Sequence, residues 1–397
     1  MNHPSSPARL LACCAILALA AFHAAAAETN SLYRAPETLR DLGKSHKVRL
    51  IYFLPADRQP TPNFEKKIAV VMSFVADLYQ EDFKAKGYKG GVPDFVFNDG
   101  QLQISLLRST NHASHYADTN INSSRQWPLI SGEVERAFGS PSKNMYVVFA
   151  ETYGDGPAKY EWPGGIALGA RYSAEGGLGI FSAWILRNEF CATNIARQLE
   201  FLDDATPIQG RTALGHGRLN SPRFEFIEDG FGAVAHELGH AFGLPHDTRK
   251  DSQYIMGNGF RNLRYNFLKR YSNKPPVGFS PDNARLLRYS RFLGDTLNAS
   301  DFVAPKLKLI LPEKLSVGAT NIPVSIECSD NESLGAVLYF SSTQDTVIGG
   351  ADLEGKQMSL KQLLTVRPLK AGEYKLRATV SDRNGNHASQ KGTIQIE

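Results

Sequence analysis

The run FGAVAHELGHAFGLPHD, Phe231 to Asp247, constrains this chain more than any other stretch. His236 and His240 are four residues apart, and a helix stacks residues at that spacing one turn apart on a single face. Both imidazoles can then reach one metal ion. Glu237 follows His236 directly and so projects about a hundred degrees away around the helix. It is placed to act on a water at the ion's open position rather than to ligate. Gly243 ends the helix, because glycine takes the left-handed conformation there at little cost. Pro245 stiffens the turn beyond it, and the chain can bring His246 back as a third ligand. Three neutral imidazoles and one open position suit a catalytic zinc, whereas a closed structural site would use a fourth protein ligand.

The N-terminus reads as a targeting segment. Arg9 is the only charge before Glu28, the apolar run LLACCAILALAAF spans Leu10 to Phe22, and HAAAAE offers small residues for a signal peptidase. Residues 1–27 are therefore expected to be a signal peptide cleaved after Ala27, sending the protein to a secreted or periplasmic location. The run is shorter than the ~20 residues a span needs, and no other stretch is long and apolar enough, so no integral membrane segment is expected in the mature chain. Cys13 and Cys14 leave with the signal; Cys191 and Cys328 remain, far apart. A secreted chain with so few cysteines relies on its core rather than on disulfides. The net charge of +4 is too mild to imply a nucleic-acid partner.

After a short arm, VRLIYFLP (48–55) reads as a buried strand, and 63–86 as a helix whose apolar stripe runs Phe64, Ile68, Val71, Val75, Leu78, Phe83. DFVFNDGQLQISLL reads as a hairpin turning at Asp99-Gly100. A second helix is expected near 129–138 and a buried strand at 144–151, so strands and helices alternate in an α/β layer structure. EWPGGIALGARYSAEGGLGIFSAW follows, with a glycine density that suits an extended edge strand closely approached by other backbones. Residues 181–228 mix helical pieces and loops without a clear pattern. The motif helix is expected to start near Asp229. A further helix follows Phe279, with Ser280 as N-cap and Pro281 at its first position. From Pro305 onward, short β-rich runs alternate with turn residues, predicting an all-β sandwich over 305–397. The predicted organisation is thus a signal at 1–27, a catalytic domain at 28–300, and the sandwich at 305–397. In the sandwich, Asp382, Asn384 and Asn386 read either as calcium ligands or as a tight turn.

HELGHAFGLPHD resembles the extended zinc signature HExxHxxGxxHD of the metzincin metalloproteases. The resemblance implies an α/β (α+β) zinc protease domain, with His236, His240 and His246 on one catalytic Zn2+ and Glu237 as general base. It implies a Met-turn beneath the metal, for which SQYIMGNG offers Met256, with Asp247 and Gly243 as supporting residues. It also implies an edge strand that takes the substrate backbone antiparallel; by position, Gly165, Ile166 and Ala167 in PGGIALGAR border the cleft. The chain departs from individual branches. Asn258 stands where astacin-like members have a tyrosine, no cysteine-bearing pro-segment precedes Val48, and the disulfides of adamalysins are missing. AGEYKLRATVSDRNGNHA is similar to the closing strands of bacterial immunoglobulin-like domains. The expected function is a secreted zinc endopeptidase acting on protein or peptide, with a surface or glycan contact through the C-terminal domain left open. Two other readings stand beside it: a zinc hydrolase of a non-peptide amide or ester, and an adhesion protein with a vestigial protease core.

Overall fold

The computed structural model describes residues 39–116, 125–154, 165–294 and 296–397; the expected signal peptide at 1–27 lies outside them. The N-terminal lobe is built on a five-stranded sheet in the order β4-β1-β5-β7-β6. Its strands are β1 (Val48–Leu54), β4 (Ile104–Arg108), β5 (Met145–Ala150), β6 (Ala167–Arg171) and β7 (Gly177–Ser182). All run parallel except β6, an antiparallel edge. The small hairpin β2 (Phe97–Asn98) and β3 (Gln101–Leu102) turns at Asp99 and Gly100, both with positive φ (48° and 74°). The predicted hairpin is therefore only its tip. Ile104–Arg108 leaves it to pair with β1, where its apolar side chains find a sheet to cover.

Alternation along the inner strands fills two layers. Leu50, Tyr52, Val147 and Phe149 face α1 (Phe64–Ala85) and the motif helix, while Ile51, Phe53, Tyr146 and Val148 face α2 (Ala113–Tyr116) and α3 (Gln126–Phe138). Both faces are buried, as parallel strands require. Residues 181–228, which carry no clear pattern, hold a 3₁₀ turn at Ala183–Leu186 and α4 (Ile195–Asp203). The motif helix α5 spans Arg223–Ala241 and so starts six residues before the predicted position. A four-residue and a three-residue 3₁₀ turn flank α6 (Arg264–Phe267) on the way to α7 (Pro281–Leu287), where the Ser280 side chain caps the Asn283 N–H at 3.1 Å.

The C-terminal lobe is all β. One sheet is β13-β10-β8 and the other β12-β11-β14-β15-β9, with β8 (Lys306–Ile310), β9 (Lys314–Leu315), β10 (Asn321–Ser329), β11 (Leu334–Ser341), β12 (Thr346–Asp352), β13 (Gln357–Thr365), β14 (Gly372–Asp382) and β15 (His387–Ile396). The sheets enclose a core of Ile322, Val324, Ile326, Tyr339, Leu376 and Val380, among others. The arrangement fits an immunoglobulin-like sandwich and closes no barrel. The Asp382 carboxylate accepts from the backbone N–H groups of Asn384 and Asn386 and from the Asn386 side chain, at 2.7–2.9 Å, as a tight turn does. Cys191 and Cys328 are free and buried in different lobes. Among the described residues no helix is long and apolar enough to cross a membrane.

Candidate metal centre

Helix α5 is buried along most of its length and presents His236 and His240 at one end of the sheet. Gly243 (φ 100°) breaks the helix as its lack of a Cβ allows, and its N–H donates to the His240 carbonyl at 2.9 Å. The next three residues return the chain so that His246 faces the other two rings. Ring centroids lie 4.8 Å apart for His236–His240 and His240–His246, and 5.4 Å for His236–His246. One ligand nitrogen from each of the three falls within 4.8 Å of the others.

Each ring is oriented through its Nδ1. His236 bonds the Ile255 carbonyl and His240 the Leu244 carbonyl, both at 2.7 Å. His246 bonds the Asp345 carboxylate at 2.9 Å. With Nδ1 donating to an oxygen, each ring is the tautomer whose Nε2 carries a free lone pair, which is the ligand form. Burial drives the His236 pKa down to about 3 and that of His240 to about 4, with mutual repulsion adding to it. These two helix-borne rings are thus neutral at working pH. Three imidazoles with a converging set of nitrogens fit a divalent cation of zinc's preferences.

Met256 is fully buried beneath α5, its sulfur packed against Gly239, between the two helical histidines in sequence. The Met256 carbonyl accepts from the Asp247 N–H at 2.9 Å, tying the histidine loop to the turn below it. The Asp247 carboxylate is fully buried and turns to Arg249, at 2.9 and 2.6 Å, rather than to the methionine turn. Phe260 packs its ring 5.0 Å from His236 and walls that side.

Glu237 points to the opposite flank, toward the edge strand. Ser182 N–H donates to Ile166 and Tyr172 N–H to Gly176. That parity gives the even-numbered residues of β6 to β7 and turns the main-chain groups of Ala167, Gly169 and Arg171 away from it. The Gly169 N–H donates to the Glu237 carboxylate, and burial outweighs that bond to push the Glu237 pKa up to about 8. Of the three residues expected at this edge, Ala167 opens β6. Gly165 and Ile166 precede it, and Ile166 is buried under the sheet on the α3 side. Gly169 and Asp345, which the sequence reading does not single out, both touch the centre. Gly169 sits in the expected glycine-rich tract; Asp345 carries no sequence signal at all.

Residues 96–276 match the family model described as Metallopep, "Putative peptidase family". No curated protein matches the chain. Among solved structures, wild-type OgpA from Akkermansia muciniphila superimposes with a TM-score of 0.61 at 16% identity, covering 91% of this chain and 96% of that one. A catalytically inactive OgpA in complex with an O-glycopeptide (glycodrosocin) substrate gives 0.60 at 16% identity over the same shares. The likeness spans both lobes and is one of fold. The stretch that matches this peptidase family, residues 96–276, contains all three histidines.

Proposed function

We propose that the protein is a secreted zinc-dependent endopeptidase in which His236, His240 and His246 hold the metal and Glu237 is the general base. The observation that carries the reading is the pairing of two features on one helix turn: three rings with Nδ1 committed and Nε2 converging, and a buried carboxylate on the flank facing an edge strand. A zinc ion there would supply Lewis acidity, acidifying a water and polarising the scissile carbonyl. The chain's own residues do the rest. Glu237 accepts a proton from the attacking water as its oxygen bonds to the carbonyl carbon. It returns that proton to the amine nitrogen as the C–N bond breaks. Burial raises its pKa, and a cation held by the three rings lowers it, which brings a group that must both take and give a proton toward neutrality. The outward edge of β6 supports an extended peptide docking alongside as an added strand. The leader-like N-terminus supports export, and the O-glycopeptide bound by OgpA makes glycosylated peptides the first substrates to try.

The test is Glu237→Gln. The variant is expected to bind one zinc per chain by elemental analysis and to lose cleavage of casein or of an O-glycopeptide library by at least ~1,000-fold, as losing a proton-transfer group does. Zinc-loaded wild type that cleaves nothing in a proteome-derived peptide screen would remove the peptidase reading in favour of a binding protein.

A further inference from the structure

We propose that Asp345, from the C-terminal lobe, is a positioning residue of the metal centre: it fixes the His246 ring, so that the ligand set is completed only when the two lobes are joined. The inference rests on the metallopeptidase reading above.

The three rings are not held alike. His236 and His240 donate to carbonyls of their own lobe, at Ile255 and Leu244, and both are buried or partly buried on α5. His246 lies on a loop and its side chain is 40% exposed, so packing alone does not choose its rotamer. Its Nδ1 partner is a carboxylate 99 residues away in sequence. A carboxylate behind a ligand histidine selects the tautomer, fixes the ring plane and raises the basicity of the ligating nitrogen.

The turn that bears Asp345 is itself aimed. The Val347 N–H donates to the His246 carbonyl at 3.0 Å, and the Thr248 N–H to the Thr346 hydroxyl at 2.8 Å, so the start of β12 is strapped to the histidine loop on both sides of the contact. On its own lobe the turn is held by Gln344, whose N–H donates to Ser341 Oγ and whose carbonyl accepts from Arg367. Asp345 adopts φ 47°, a conformation that aspartate tolerates better than most side chains and that turns its carboxylate toward His246. The Asp345 side chain is 69% exposed. An exposed pair of this kind adds little to folding stability, so its consequence falls on the ligand it orients.

Full-length protein stripped of metal and titrated with zinc against a chromophoric chelator tests this. Asp345→Gly suits the left-handed backbone and removes only the carboxylate. It is expected to weaken zinc affinity between about 10- and 100-fold and to shift the visible absorption of the cobalt(II)-loaded protein, while the unfolding midpoint of the metal-free protein stays put. Asp345→Asn, which keeps an acceptor oxygen without the charge, should fall between. Wild-type affinity in Asp345→Gly would overturn the proposal. So would an affinity loss matched by a fall in the metal-free midpoint, since the residue would then act through folding. Failure of the underlying reading is separately visible: wild type itself would take up no stoichiometric zinc.

Discussion

Gly169 lies where β6 crosses α5, and the fit leaves no room for a side chain. A Cβ built there would stand 1.8 Å from the Glu237 carbonyl oxygen and 3.2 Å from its Cα. Gly169→Ala must therefore lift the strand off the helix and withdraw the N–H that Glu237 accepts. Misplacing a reacting group by an ångström costs on the order of 100-fold in rate, so kcat/KM for a peptide substrate is expected to drop about that far with zinc stoichiometry still at one. A Gly169→Ala enzyme working at the wild-type rate would show that this approach does not matter. At this scale, legibility depends on sequence distance. The histidine cluster is local, and a four-residue spacing plus a glycine break is enough to place its rings. Gly169 is one of several glycines in the tract, and nothing in the pattern tells which of them meets α5. Asp345 comes to His246 through tertiary packing alone, so no spacing rule could have found it.

The helix that carries the centre is also the element whose start the sequence obscures. Its first two turns read RFEFIEDG, acidic residues at intervals that look like a solvated face. In the structure Glu225, Glu228 and Asp229 are all buried, each answered by an arginine from outside the helix: Arg218, Arg264 at 3.1 Å and Arg261 at 3.0 Å. Burial of paired charge defeats an amphipathic reading, and the predicted start slips to Asp229. Helix α5 is thus pinned by ion pairs behind the two histidines and by apolar packing around them. Glu228 is fully buried, and Arg264 opposite it is 14% exposed and also donates its backbone N–H to it at 3.0 Å. Removing one partner leaves an uncompensated charge, so Glu228→Ala should lower the unfolding free energy by about 3–5 kcal/mol. Adding Arg264→Met to the same chain should recover a substantial part, because the stranded charge goes too. Urea unfolding of the two variants decides it, and a loss below about 1 kcal/mol in the single variant would mean that water or rearrangement compensates the arginine.

The sequence predicts two separate domains, 28–300 and 305–397, with β11 and β12 as ordinary sandwich strands. The structure makes the boundary an interface. Leu338, Phe340 and Val347 belong to the apolar core of the N-terminal lobe rather than to that of the sandwich. Strand β11 is buried along its whole length, where a sandwich strand facing water on one side would alternate. The run GAVLYFSS did carry that signal, but an apolar run alone does not say what covers it. Around this patch Arg288 reaches Asp352 at 2.7 Å and Arg171 donates to the Gly385 carbonyl at 2.9 Å. Arg171 ends β6 and Asp345 bonds the His246 ring, so the β6 edge and the histidine cluster both lean on the C-terminal lobe. Lobes that share a core unfold together. Calorimetry of the zinc-loaded protein is therefore expected to show one transition, and chelation should move that transition down as a unit. The shift follows mass action: free zinc at 1,000 times its Kd adds about 4 kcal/mol to the folded state, and all of it should be lost by both lobes at once. Two separable transitions, with only the first responding to chelator, would show that the sandwich is an independent appendage and that the contacts across the boundary do not couple it to the metal.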